Sequence, residues 1–226
     1  MNKLIIHGII KWVRIMLELY DKTTIESILI PARKIRLKEH LIKIPNNKPG
    51  WYRWWCPETE LKRLLNSKYI SKKYLEKIMS HLTKKEIKGR TYYYVYVGVA
   101  INESIRDRLN WHVNQHHSKS SVESGFLSTL RQSLSSLVAG NQYDEIATNN
   151  FIDKLIIEYT SINLSIHSKE AKYEIETIEK NEINSNVLPL NIRDNKNKLI
   201  INYLKELSIC RKQSKINNKS ENECNM

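Results

Sequence analysis

The sequence predicts an α/β (α+β) fold: a small mixed central sheet flanked by helices, with a helical insertion between the first two core strands. Three observations carry that expectation. Residues 92–98, Tyr-Tyr-Tyr-Val-Tyr-Val-Gly, form an aromatic and β-branched run that suits a half-buried strand. Apolar residues then recur at helical spacing after it, as in Ile105, Leu109, His112 and Val113. The chain has 226 residues, 41% hydrophobic and 27% charged, which is enough to bury one real core without disulfide or metal staples. A mean hydropathy of −0.51 excludes a membrane protein, and this composition does not read as a wholly disordered chain.

Residues 1–49 read as a basic N-terminal region. The apolar run at 4–19 is broken by His7, Lys11, Arg14 and Glu18, so it is too short and too charged to span a bilayer. No small-residue cleavage site follows it, and an amphipathic element packed on the core is the expectation rather than a signal peptide. Residues 31–38 alternate apolar and basic side chains and read as an edge strand. The turn Asn46-Asn-Lys-Pro-Gly50 leads into a short aromatic strand at 50–55, which Pro57 ends.

A single domain at 50–210 would then carry a basic block at 58–90. Leu61, Leu64 and Leu65, then Tyr74, Leu75, Ile78 and Leu82, predict two short helices joined near residues 67–71. The strand at 92–98 follows, then a helix over 104–116. A second helix is expected over 124–137, with Phe126, Leu127, Leu130, Leu134 and Leu137 as its core stripe. Residues 155–160 predict a third strand, 168–183 a charged helix stopped before Pro189, and 199–210 a last helix. Residues 211–226 hold Lys, Ser, Asn and Glu with little that is apolar and predict a disordered tail.

The net charge is +13. Residues 1–90 contain 21 basic and 8 acidic side chains, whereas residues 91–226 contain 16 of each. The whole excess lies in the first ninety residues, which points to a polyanion held by that part of the chain. AT-rich codons would supply some of the lysines without selection for binding, but not that division. The cysteines Cys56, Cys210 and Cys224 form no CxxC pair, so neither a disulfide framework nor a cysteine zinc site is expected. A reducing, cytoplasmic location is the matching expectation.

Arg108 and His112 are four apart on a predicted helix and share a face. That helix starts soon after Tyr96-Val-Gly98, where a glycine allows a tight turn or the close approach of a ligand. Tyrosine, arginine and histidine at one strand–helix junction suit phosphate chemistry: arginine neutralises phosphoryl charge, and histidine or tyrosine moves protons. From spacing alone, a surface arginine and a half-buried structural histidine remain the alternative. His112 and His116 lack the intervening glutamate of a zinc protease helix.

These residues resemble the GIY-YIG nucleases. Gly50-Trp51-Tyr52 stands as the first half-motif and Tyr96-Val97-Gly98 as the second, followed by Arg108 and His112 and ended by Leu188-Pro-Leu-Asn191. Trp51 replaces the usual small aliphatic residue. The two motif tyrosines lie 44 residues apart, wider than the family's usual hairpin, so Tyr92 and Tyr93 compete with Tyr52 for the first motif position. A segment inserted between the two strands resembles the GIY-YIG type II restriction enzymes. The resemblance implies that Glu179 binds one Mg2+ (or Mn2+), with Glu174 and Glu176 as alternatives on the same helix. It implies that Tyr52 takes a proton from water and Tyr96 orients water or phosphate. Arg108 would stabilise the transition-state charge, His112 would bond or shuttle protons with Tyr52, and Asn191 would hold the backbone of the site. The expected activity is hydrolysis of phosphodiester bonds in double-stranded DNA, restriction-type, with a structure-specific repair nuclease or an inactive DNA-binding module as alternatives. Arg63, Lys72, Lys73, Lys84, Lys85 and Arg90 are the expected phosphate contacts. Cutting both strands with one site per chain would favour a homodimer.

Overall fold

A five-stranded sheet organises the computed structural model, which describes residues 27–216; the apolar run at 4–19 and the end of the tail lie outside the described residues. The strands are β1 (Ile28–Pro31), β2 (Gly50–Pro57), β3 (Lys84–Ile87), β4 (Arg90–Ala100) and β5 (Ile156–Ser161), in spatial order β1-β5-β2-β4-β3. The fold class is the expected one, but every pairing is antiparallel rather than mixed. The chain crosses from β4 over β2 to reach β5, so β4 and β5 run in the same direction without being neighbours.

The register between β2 and β4 slips once. Trp54 stands opposite Tyr96 and Trp55 opposite Tyr94, which leaves Val95 as an extra residue in β4. Tyr96 therefore faces the same way as Tyr52 and Trp54, and Tyr94 turns to the other face to stack on Trp55 with centroids 5.3 Å apart. The Tyr52 face packs under Leu61, Leu64 and Leu65 of α2 (Glu58–Leu65), Leu109 and Val113 of α4 (Ile105–Asn114), Leu130 and Leu134 of α6 (Thr129–Val138) and Leu207 of α9 (Ile201–Gln213). The opposite face packs under α8 (Lys169–Ser185), through Ala171 and Ile175 against Trp51 and Ile183 against Trp55.

Several sequence expectations shift. The alternating segment at 31–38 is the short helix α1 (Ala32–Arg36), which buries Ala32 and Ile35 at helical spacing; the edge strand is β1, just before it. The insertion contains α2 and α3 (Leu75–Met79) as expected, but its last part is β3, whose register with β4 runs from Lys84 opposite Tyr93 to Ile87 opposite Arg90. The helix expected at 124–137 begins only at α6; a separate short helix, α5 (Lys119–Glu123), precedes it, and the chain turns between them at Gly125 with φ +74°. Phe126 lies in that break and is exposed, so it is not part of the core stripe. The helix α7 (Glu145–Ile152) was not foreseen, and α9 runs to Gln213, into the segment expected to be disordered.

A buried arginine fixes the end of α4. Arg131 has no solvent exposure. Its Nη1 donates to the carbonyls of His112 (3.0 Å) and Val113 (3.1 Å), its Nη2 to Asn149 Oδ1 (2.7 Å) and its Nε to His117 Nε2 (2.8 Å). These bonds satisfy carbonyls that the helix end would otherwise orphan. Because the guanidinium only donates, His117 must accept at Nε2 and carry its proton on Nδ1, which donates to the Gln142 carbonyl at 2.5 Å. Burial, followed by the Arg131 charge, pushes the His117 pKa down to about 4.

An unfolded histidine titrates near 6.5, so below that pH the unfolded chain binds the proton that folded His117 refuses. The stability this neutral histidine supports is complete above pH 6.5 and is lost progressively from there to about pH 4. Urea titrations across that window should show a falling midpoint, with a shallower fall in His117→Gln, which cannot titrate.

Candidate active site

Two glycines set the backbone of the site. A Cβ at Gly50 would stand 2.1 Å from the Thr160 carbonyl oxygen, so only glycine lets β2 start this close to β5. A Cβ at Gly98 would stand 2.4 Å from the Tyr52 hydroxyl, because the phenol lies across β4 at the position opposite its own. That path brings the Tyr52 hydroxyl to His112 Nε2 at 2.5 Å, with the rings edge to face. Ser104 caps the helix that carries His112, accepting from the Asp107 amide at 3.0 Å.

Tyr96 points to the same cavity face, and its hydroxyl meets Thr129 Oγ1 at 2.9 Å. Thr129 is exposed at the start of α6, which marks the mouth of the site. Arg108 lies one turn before His112; its Nε is 2.9 Å from Glu103 Oε1, and its guanidinium sits 5.1 Å from the Trp111 ring centroid.

Beyond Tyr93, β3 no longer pairs with β4, and a side chain takes the place of the missing strand. Asn191 accepts from the Val97 amide and donates to the Val97 carbonyl, both at 2.9 Å. The Leu190 amide adds a bond to the Val95 carbonyl at 3.1 Å. The peptide between Tyr96 and Gly98 is thus held from its open edge. Asn195 in turn holds the 188–191 segment by donating to the Leu188 and Asn191 carbonyls.

The electrostatics follow from burial. Tyr52 is enclosed, and desolvation with the neighbouring Tyr96 holds its pKa well above the usual phenol value. His112 is driven well below the usual imidazole value by burial, then by Arg108 and Arg131. The pair therefore rests as a neutral phenol and a neutral imidazole. His112 Nδ1 is buried with no hydrogen-bond partner among the described residues. Burial raises the Glu179 carboxyl, with Asp194 and Glu176 adding to the rise and Arg193 and Arg108 opposing it. Glu179 acts electrostatically on both Tyr52 and Tyr96.

Tyr52, Tyr96, Arg108, His112 and Glu179 thus form one coupled cluster, and Asn191 supports it through the backbone. Tyr92 and Tyr93 stand opposite Pro57 and Cys56 at the far end of the hairpin, roughly 17–20 Å along the strand from Gly98. Glu176 is exposed and lies 3.9 Å from Lys172. Three neighbours of the site were not anticipated: Glu103, Thr129 and Arg211, the last acting on Tyr96 from α9 while donating to Gln132. None belongs to a spacing pattern that a sequence displays.

The structure divides the expected phosphate contacts. Lys85 is bound to Glu158 at 2.9 Å over the Trp55 ring, on the sheet face away from Tyr52. Lys73 is 3.5 Å from Glu206, and Arg63 is 3.5 Å from Glu60 with its guanidinium over Phe151. Lys72, Lys84 and Arg90 are exposed and make no ion pair among the described residues.

A family model described as the GIY-YIG catalytic domain matches residues 50–213, opening at the first motif glycine. The chain belongs to the GIY-YIG family. No curated protein and no solved structure matches it significantly. As a GIY-YIG chain it carries a nuclease domain, for which DNA is the substrate the family suggests. No helix of the described residues is long and apolar enough to cross a membrane.

No three metal-ligating side chains cluster among the described residues of this GIY-YIG domain. Glu179 is the carboxylate in place, and a half-buried carboxyl held above its usual range fits a hard divalent ion that keeps most of its water. The raised pKa also has a thermodynamic sign. Folding favours the protonated form, so keeping Glu179 ionised at neutral pH opposes folding. Glu179→Gln should raise the melting temperature by a few degrees at pH 7, with the gain shrinking as pH falls towards 4; differential scanning calorimetry across that range checks it.

Proposed function

We propose that this GIY-YIG chain is a Mg2+- or Mn2+-dependent, restriction-type endonuclease that hydrolyses phosphodiester bonds in double-stranded DNA. The observation that carries the reading is the buried Tyr52–His112 pair beside Arg108 and within the field of Glu179. Glu179 would hold the divalent ion, which supplies charge neutralisation at the scissile phosphate.

The chain's own residues supply the rest. Arg108 is already 2.9 Å from one anion, Glu103, and exchanges it for a phosphate oxygen. Arg108 also depresses His112 at rest, so an arriving phosphate offsets that charge and raises the imidazole's proton affinity. With Nε2 as acceptor, His112 takes the phenolic proton as Tyr52 takes one from the attacking water. The water oxygen forms the new bond to phosphorus, the bond to the departing sugar oxygen breaks, and that oxygen takes a proton from solvent. Tyr96, held by Thr129, orients water or phosphate at the mouth. Asn191 keeps the Tyr96–Gly98 backbone from moving while this happens.

The restriction reading is supported by the insertion between β2 and β4, which adds cations beyond what the hairpin needs. Cys56 and Cys210 are buried free thiols, which supports a reducing, cytoplasmic setting. Cutting both strands from one site per chain favours a homodimer.

Supercoiled plasmid with Mg2+ is the direct test. Wild type should give discrete fragments, and Arg108→Ala and Glu179→Ala should each lose about 10²–10³-fold in rate. Smearing or junction-directed cutting would replace restriction by repair, and equal cutting by both variants would remove the site assignment.

Each phosphate neutralised contributes about −0.9 to the salt slope on duplex DNA. Reversing Lys72 and Lys84 together should reduce that slope by about 2 in magnitude. Lys85→Met should leave it unchanged, because Lys85 is already committed to Glu158.

A further inference from the structure

Phe126 is 66% exposed, yet buried amide side chains hold its backbone and that of its neighbours. The buried Gln115 donates to the Phe126 carbonyl at 3.0 Å and accepts from the Ser128 amide at 2.8 Å. The buried Gln132 donates to the Gly125 carbonyl at 3.1 Å and to the Leu127 carbonyl at 2.5 Å. Gly125 turns the chain with φ +74° immediately before the phenyl. Two buried amide side chains and a left-handed glycine thus hold one apolar ring out in water, where it gains nothing from burial.

The surroundings of that ring specify what would cover it. Its inner edge meets Trp111, with centroids 6.0 Å apart in a T-shaped arrangement. The Arg108 guanidinium lies against the same indole, 5.1 Å from its ring centroid. The Lys215 ammonium lies beside Gly125, 3.3 Å from where a Cβ would stand, and Arg211 donates to Gln132. Three residues on, Thr129 bonds Tyr96 at the mouth of the site. An exposed aromatic ring backed by a second ring, bordered by cations and tied to a catalytic tyrosine, is complementary to a nucleobase flanked by phosphates.

We propose that Phe126, backed by Trp111, is a stacking platform for a base of the DNA next to the scissile phosphate. The base leaves its neighbours in the duplex to lie on the phenyl, and its phosphates meet Arg108 and Lys215. The unstacking bends the backbone at the step that faces Tyr96 and Tyr52. This rests on the nuclease reading for its substrate, and it deepens that reading by assigning the residue that deforms the substrate.

The test uses the full chain and DNA in which thymine is replaced by 5-bromouracil, bound in EDTA and irradiated. Peptide mapping should find the adduct at Phe126 or Trp111, and the Phe126→Ala protein should lose it with an unchanged melting temperature, since the ring is exposed. In Mg2+, Phe126→Ala should cut plasmid about 5–150-fold more slowly, the equivalent of one lost base stack. Phe126→Trp should restore the rate, Phe126→Leu should not, and the salt slope of binding should stay at the wild-type value. Adducts confined to other segments, or wild-type cutting by both Phe126→Ala and Phe126→Leu, would overturn the platform. An adduct at Phe126 on a protein that cuts no DNA would instead overturn the nuclease reading and leave the platform standing.

Discussion

The position of one phenol on one glycine governs the site. Tyr52 reaches His112 because its ring crosses β4 where Gly98 offers no side chain, and any Cβ there would occupy the space of the hydroxyl. Everything else preserves that crossing. Gly50 lets β2 begin against β5, Asn191 holds the Val97 peptide at the open edge, and Arg131 fixes the helix end from which His112 projects. The contact is buried, so the phenol keeps its proton against His112 Nε2 in a setting where neither ring ionises at rest. A group that must transfer a proton only when substrate is present is well served by such a pair, since the incoming phosphate alters the field that keeps it neutral.

Much of this was legible in the chain. The two tyrosine–glycine segments, the Arg108 and His112 spacing and the Asn191 segment are local patterns, and local patterns survive in a sequence. The strand at 90–100 and the helices carrying Arg108 and Glu179 were readable because their apolar periodicity is strong. What the sequence does not display is pairing. Tyr52 and Tyr92 both lie in aromatic strand segments, and the register opposite Gly98 separates them. Lys85 reads as a free cation until Glu158, distant in sequence, is found bound to it. Phe126 fits the leucine stripe of α6 by spacing, but α6 starts only at Thr129, and Gly125 turns the chain just before the phenyl. A glycine inside an amphipathic pattern was the signal available there.

The charge that the sequence concentrates in its first ninety residues is therefore not one surface. Part of it is already paired within the fold: Lys73 and Lys85 join the insertion to α9 and β5 through Glu206 and Glu158, and Arg63 pairs with Glu60 inside α2. Glu206 alone accepts from the Ser71 amide and Tyr74 as well as lying near Lys73. The insertion is thus seated on the domain by buried leucines and by these tethers, and the cations left over are those exposed on its rim.

The extra residue at Val95 has a consequence that lies in arithmetic rather than chemistry. Side chains along a strand alternate like odd and even numbers, and the bulge adds one, so β4 obeys one parity before Val95 and the opposite parity after it. The first half sets Tyr94 against Trp55 beneath α8, and the second sets Tyr96 on the face of Tyr52 and Trp54. In an unbroken strand Tyr94 and Tyr96, two residues apart, would share one face, and the extra residue is what sets them on opposite faces. The place of Tyr96 beside Tyr52 is therefore written in a count along β4 as well as in its letter.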